Sequence, residues 1–95
     1  MIEEAREIAE LLKVLANENR LMIICHLLSG PMTVSQLHEQ LNHVTQSALS
    51  QHLAILKANR LLSSTKNGQS ITYAIQDYRI EALIETIKVN YCKIN

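Results

Sequence analysis

The chain lacks much of what small domains use to hold themselves together. It has no Trp and no Phe, and its aromatics are three Tyr. The core must therefore be aliphatic, built from Leu, Ile and Ala. Two cysteines, Cys25 and Cys92, lie far apart and exclude a disulfide scaffold. Glycine and proline are nearly absent, with two and one respectively, and no internal repeat, low-complexity tract or domain linker appears. Net charge is zero, so the total does not advertise a nucleic-acid partner. No apolar run approaches the roughly 18 residues that a membrane span needs. No secretory leader pattern opens the chain. A cytoplasmic protein with reduced thiols is expected.

What remains is one small domain over residues 1–95, apolar for its length at 47% hydrophobic. Surplus aliphatic surface on so short a chain points to self-association. Charge is unevenly spread. Residues 1–19 hold five acids and two bases, residues 71–95 hold three of each, and residues 20–70 set Arg20, Lys57, Arg60 and Lys66 against Glu39 alone. The middle of the chain is mildly basic.

Periodicity places the elements. Ile8, Leu11, Leu12 and Leu15 form a helical stripe over 2–15, with Glu3, Glu4 and Glu7 favouring its N-terminus. Asn17 caps a second helix running to Ser29, with Leu21, Ile24, Cys25 and Leu28 inward. Met22, Ile23 and Leu27 make this helix apolar nearly all round, so it is expected to be the most buried. Gly30-Pro31 ends it. Thr33 with Gln36 is a capping box for a third helix, which buries Leu37 and Leu41. Val44 plugs a tight turn, and Thr45 caps a fourth helix to about Ala58 with Leu49, Leu53 and Leu56 on one face. Residues 62–66 and 70–76 read as strands, joined by an Asn67-Gly68 turn with positive φ at both positions. Asp77 caps a last helix, striped by Ile80, Leu83, Ile84, Ile87 and Tyr91. The result is a mainly α fold with a β-hairpin, a winged helix-turn-helix. Its first and last helices are free to form a homodimer.

The fourth helix carries an unusual outer face. TQSALSQHL puts Ser47, Ser50, Gln51 and Ala54 where surface helices carry Lys, Glu and Arg. A helix entering a groove about 12 Å wide needs such small groups for close approach. Thr45, Gln46, Ser47, Ser50 and Gln51 are candidate contacts to base edges and phosphates. His52 either meets a phosphate or packs between helices. Arg20, Lys57, Arg60 and Lys66 are candidate phosphate contacts, and Asn67, Gly68 and Gln69 form the wing tip. So few cations per protomer call for a dimer on two half-sites about one helical turn apart. Cys25 with His26 or His52 does not make a catalytic pair, since no acid–base partner or Gly-rich loop accompanies it, so an enzyme is not expected. A winged helix acting on a protein partner is the other class, and the Ser/Gln face opposes it.

The sequence resembles the ArsR/SmtB family of dimeric bacterial winged-helix repressors over nearly its whole length. LLKVLANENRLMIICHLL is similar to the family's first two helices. VTQSALSQHLAILKANRLL is similar to its reading head, with Ser47, Ser50, His52 and Leu53 as the specific core. The resemblance implies double-stranded operator DNA as partner and an inducer that relieves binding. The third helix has no Cys-x-Cys (MTVSQL) and the last has no His (DYRIEALIETIKVNYC). Glu81 and Glu85 alone make a weak metal site, so no metal or cofactor is expected. The pair Cys25 and Cys92 resembles the persulfide-responsive branch of the family, the SqrR/BigR- and HlyU-like regulators. That likeness implies reactive sulfur or an oxidant as inducer and a sulfur bridge between the two cysteines. On the bare sequence, Cys25 on a core stripe reads as a small buried hydrophobe and Cys92 near the chain end as incidental. The sequence departs from the family pattern at two places. Asn59-Arg60 follows the reading helix where Gly or Ala is common, with Asn59 suited to a left-handed turn, and the wing carries Thr65 and Gln69 where Arg is common.

Overall fold

The computed structural model describes residues 1–92; the last three residues of the expected domain lie outside the described residues. Five helices and a three-stranded sheet follow in the order α1 (Ile2–Leu15), α2 (Glu18–Leu27), β1 (Met32–Thr33), α3 (Val34–Gln40), α4 (Gln46–Ala58), β2 (Leu62–Asn67), β3 (Ser70–Ile75) and α5 (Tyr78–Tyr91). The caps are those the sequence signals. Asn17 Oδ1 accepts from the backbone N–H groups of Asn19 and Arg20 at 3.0 and 3.1 Å. Thr33 and Gln36 form the reciprocal capping box. Thr45 Oγ1 accepts from Ala48 N–H at 3.1 Å, and Asp77 Oδ1 from Arg79 N–H at 3.0 Å. Each satisfies donors that a helix start otherwise leaves unpaired.

The core is aliphatic apart from Tyr73. Ile23, Ile24, Leu37, Leu49, Leu53, Leu56 and Ile80 are wholly inaccessible. Helix α2 is the most enclosed, with Glu18 its one exposed residue. Its inward face, however, is Ile23, Ile24 and Leu27. Leu21, Cys25 and Leu28, expected inward, are only half-buried. An all-round apolar helix leaves its orientation undecided by periodicity, and its partners choose the face. The helix also stops at Leu27, two residues short of Ser29, and Gly30 takes φ +135.

Three further details differ from the sequence expectation. A two-residue strand, β1, pairs antiparallel with β3 (Met32 opposite Tyr73, Thr33 opposite Thr72), giving the sheet order β1-β3-β2. So short a strand carries no readable period. The hairpin turn lies one residue later than expected. Asn67 stays in the ladder opposite Ser70, and the loop is Gly68-Gln69. Gly68 alone takes a positive φ (+66), which is what a II′ turn asks of its first position.

The turn after α4 is the third difference. Asn59 keeps a negative φ (−91), and the left-handed residue is Arg60, with φ +63. Leu61 N–H reaches Leu56 C=O at 3.0 Å and Arg60 N–H reaches Lys57 C=O at 2.9 Å. This is a Schellman ending with arginine in the position glycine usually fills. Leu61 is drawn into the core behind it (2% exposed). Arg60→Gly should therefore stabilise the fold by about 0.5–1 kcal/mol after allowing for glycine's greater freedom when unfolded. A urea titration measures this; an unchanged or lower midpoint would contradict the strained reading of Arg60.

Candidate nucleic-acid interface and cysteine pair

Helix α4 is anchored by its inner face, where Leu49, Leu53 and Leu56 show no exposure at all. Its outer face is then fixed. Gln46, Ser47, Ser50, Gln51 and Ala54 are all exposed, as is Thr45 at the cap. No charged side chain occupies this face before Lys57. The tight turn before α4 is pinned from two sides. His38 Nε2–H donates to Val44 C=O at 3.0 Å, and His43 Nε2–H donates to Asn19 Oδ1 at 3.1 Å. Buried Val44 fills the corner.

Between α3, α4 and the hairpin runs a groove of about 420 Å³ lined by Val34, Ser35, Gln46, Ser50, Gln69, Ser70 and Ile71. It brings Gln46 and Ser50 of the helix opposite Gln69 of the wing. The wing-tip residues Asn67, Gly68 and Gln69 are exposed, as are Lys57, Arg60 and Lys66. Ser35 and Ser70 were not singled out from the sequence. Ser35 sits beside the Thr33 capping box, whose helix-starting role had already accounted for that stretch, and Ser70 closes the hairpin. Together these groups form a surface of neutral donors and acceptors flanked by three cations.

Arg20 is placed differently from the other candidate contacts. It is half-buried, and its guanidinium is engaged inside the protein. Nη1 donates to Val14 C=O at 3.1 Å and Nε donates to His52 Nδ1 at 3.3 Å. His52 is half-buried at the edge of α4, and burial, then the charge of Arg20, hold its pKa below the ordinary histidine value. The Arg20 guanidinium is thus engaged inside the protein, with the Nδ1 side of His52 against it.

The two cysteines lie on different helices that pack together. Cys25 is half-buried on α2 and Cys92 is exposed at the C-terminal cap of α5; both are free thiols. Burial pushes the Cys25 thiol above its usual value. Lys88 pulls it back, while Cys92 and Glu85 push it further up. Lys88 is a half-buried member of the last turn of α5. Among the described residues no group of three His, Cys, Asp or Glu side chains gathers into a metal-ligand cluster.

Beyond the core, α1 and α5 leave large apolar side chains uncovered. Ile8 and Leu12 are 54% and 50% exposed, and Ile87, Val89 and Tyr91 are 39%, 79% and 80% exposed. The stripes expected on these helices are real, but only Leu15, Ile80 and Ile84 of the two helices are buried. Among the described residues no helix is long and apolar enough to cross a membrane.

Comparison with known proteins agrees with this arrangement. The family described as "Bacterial regulatory protein, arsR family" matches residues 17–64. The chain is 41% identical over 85 residues to the transcriptional activator HlyU of Vibrio cholerae, covering 90% of this chain and 78% of that protein. It is 30% identical over 92 residues to a biofilm growth-associated repressor of Xylella fastidiosa, covering 97% of this chain and 80% of that protein. The solved structure of Vibrio cholerae HlyU superposes with a TM-score of 0.91 at 38% identity, covering 98% of this chain and 100% of that one. The Ser/Gln helix, the wing across its groove and these relatives lead to one assignment. The chain belongs to the ArsR family of bacterial regulatory proteins and is a winged-helix, DNA-binding transcriptional regulator rather than an enzyme.

Proposed function

We propose that the protein is a cytoplasmic homodimeric repressor, one winged-helix domain per protomer, whose hold on operator DNA is released when Cys25 and Cys92 become joined through sulfur. The observation that carries the switch is the placement of the two thiols: one half-buried on α2, one exposed at the end of α5, the helix that packs against α2. The relatives bear both activator and repressor names. Repression is the simpler use of a reading head that sits on DNA until a signal removes it.

DNA reading falls to Thr45, Gln46, Ser47, Ser50 and Gln51, with Asn67 and Gln69 at the wing and Lys57 and Lys66 on phosphates. Gln51 offers paired hydrogen bonds to an adenine edge, and the serines offer short donors and acceptors. The uncovered faces of α1 and α5 supply the dimer contact. This spaces two α4 helices for successive major grooves on one side of the duplex.

The sulfur chemistry is conservative. A persulfide, R–S–SH, passes its outer sulfur to a thiolate, giving Cys–S–SH and R–SH. The second cysteine's thiolate then attacks the inner sulfur of that persulfide. The Cys25–S–S–Cys92 bond forms and hydrosulfide leaves. If both cysteines are persulfidated first, attack of one on the other expels hydrosulfide and leaves one extra sulfur in the bridge. Exposed Cys92 is the natural entry point. Cys25, its thiol raised by burial, becomes a better nucleophile as pH rises through and above the ordinary thiol range. A bridge ties the end of α5 to α2. It need alter DNA affinity by only ~1–3 kcal/mol to act as a switch.

Two expectations follow. Fluorescence anisotropy on the DNA upstream of its own gene should show binding by reduced protein and release after a persulfide donor. Intact mass should show loss of two thiol hydrogens, with or without an added sulfur, and Cys92→Ser should stay bound. Unchanged binding with both thiols free would make the cysteines structural and turn the search to metals at the dimer interface. The second concerns salt. With Lys57, Arg60 and Lys66 as the exposed cations flanking the reading face of each protomer, the log–log dependence of affinity on salt should have a slope of about −5 or shallower for a dimer. A slope approaching about −10 would require phosphate contacts that this surface does not offer.

A further inference from the structure

Arg20 gathers three helices at one point. Its backbone N–H is held by the Asn17 cap, so the side chain leaves a fixed first turn of α2. Its Nη1 donates to Val14 C=O, one of the last-turn carbonyls that α1 leaves without a helical donor, at 3.1 Å. A cation there also complements the negative end of the α1 dipole. Its Nε donates to His52 Nδ1 at 3.3 Å, thirty-two positions along the chain.

The second contact fixes the chemistry of the histidine. An arginine has no acceptor and stays charged, so the nitrogen it faces must be the unprotonated one. His52 is thereby a neutral imidazole with its proton on Nε2. Arg20 is the one charged group among the described residues that acts on it. None of the described residues hydrogen-bonds Nε2.

We propose that Arg20 is a positioning residue for DNA reading: through Nδ1 it locks His52 in the Nε2–H form, leaving that N–H to donate to a DNA phosphate, and it ties the end of α1 to α4. This rests on the DNA-reading role proposed above. It replaces the view of Arg20 as itself a phosphate contact. It also gives α1 a direct mechanical link to the reading helix, independent of the cysteines.

The test begins with the free protein. Long-range proton–nitrogen correlation spectra of 15N-labelled wild type should show His52 with bare Nδ1 and protonated Nε2 at neutral pH. Its titration midpoint should lie below that of an ordinary histidine. In Arg20→Gln the midpoint should rise toward the ordinary value and the two tautomers should mix. Affinity for the upstream DNA should fall roughly tenfold, the scale of one charge-assisted hydrogen bond. Arg20→Lys keeps the charge but has no planar fork to bridge two acceptors, so it should not restore the tautomer. A wild-type His52 protonated on Nδ1 would overturn the proposal, and this needs no variant to fold. So would an Arg20→Gln protein whose His52 tautomer and midpoint are unchanged. If the tautomer follows Arg20 but wild-type protein does not bind DNA, the DNA-reading role fails while the Arg20–His52 lock stands.

Discussion

Everything in this structure depends on how α4 is seated. Three leucines, Leu49, Leu53 and Leu56, are completely inaccessible and hold the helix by its inner face alone. Burial of three such side chains is worth several kcal/mol, roughly 1.5–3 each. That seating frees the outer face from any duty in folding. It carries Ser, Gln and Ala, small neutral groups that would let the backbone come close to a groove, the use proposed for them above. A surface helix selected for solubility alone would place Lys and Glu there. Without Phe or Trp, the surrounding core achieves this with aliphatic side chains and one tyrosine, Tyr73.

Helix α2 stands between the two ends of the proposed switch. Its first turn holds Arg20, which reaches α4 through His52, and about one and a half turns on it carries Cys25, on the helix that packs against α5. With Ile23, Ile24 and Leu27 buried and only Glu18 exposed, α2 packs closely enough for a displacement at one end to be passed along it, as the proposed switch requires. The uncovered apolar faces of α1 and α5 complete the arrangement. In the proposed switch, joining α5 to α2 would shift the surface on which a second copy rests, and with it the distance between two reading helices.

Much of this was legible from the chain. Helix starts were readable because Asn17, Thr33, Thr45 and Asp77 are local capping signals, and the α4 leucine stripe was readable because one face is apolar and the other polar. What was not legible has physical causes. The inward face of α2 is Ile23, Ile24 and Leu27 rather than the expected stripe, because an all-round apolar helix has no preferred side until its neighbours arrive. The turn slipped by one residue because Asn67 is as content in the ladder as in the turn. The left-handed residue was expected at Asn59 and fell on Arg60, because the Schellman hydrogen bonds from Arg60 and Leu61 decide the position over side-chain preference. β1 was too short to show a period. At the candidate site, the small polar face was visible in TQSALSQ. The inward turn of Arg20 was not, since it depends on Val14 and His52 meeting in space.

The most direct test of the account is a backbone-amide NMR titration of the reduced protein with a duplex from its own upstream region. The account predicts that shifts concentrate on residues 45–54 of the cap and reading helix and on Asn67, Gly68 and Gln69 at the wing, with the core amides of α2 nearly still. Amides of α4 that stay fixed while those of α1 and α5 move would contradict it. The Ser/Gln face would then not be the surface that meets DNA.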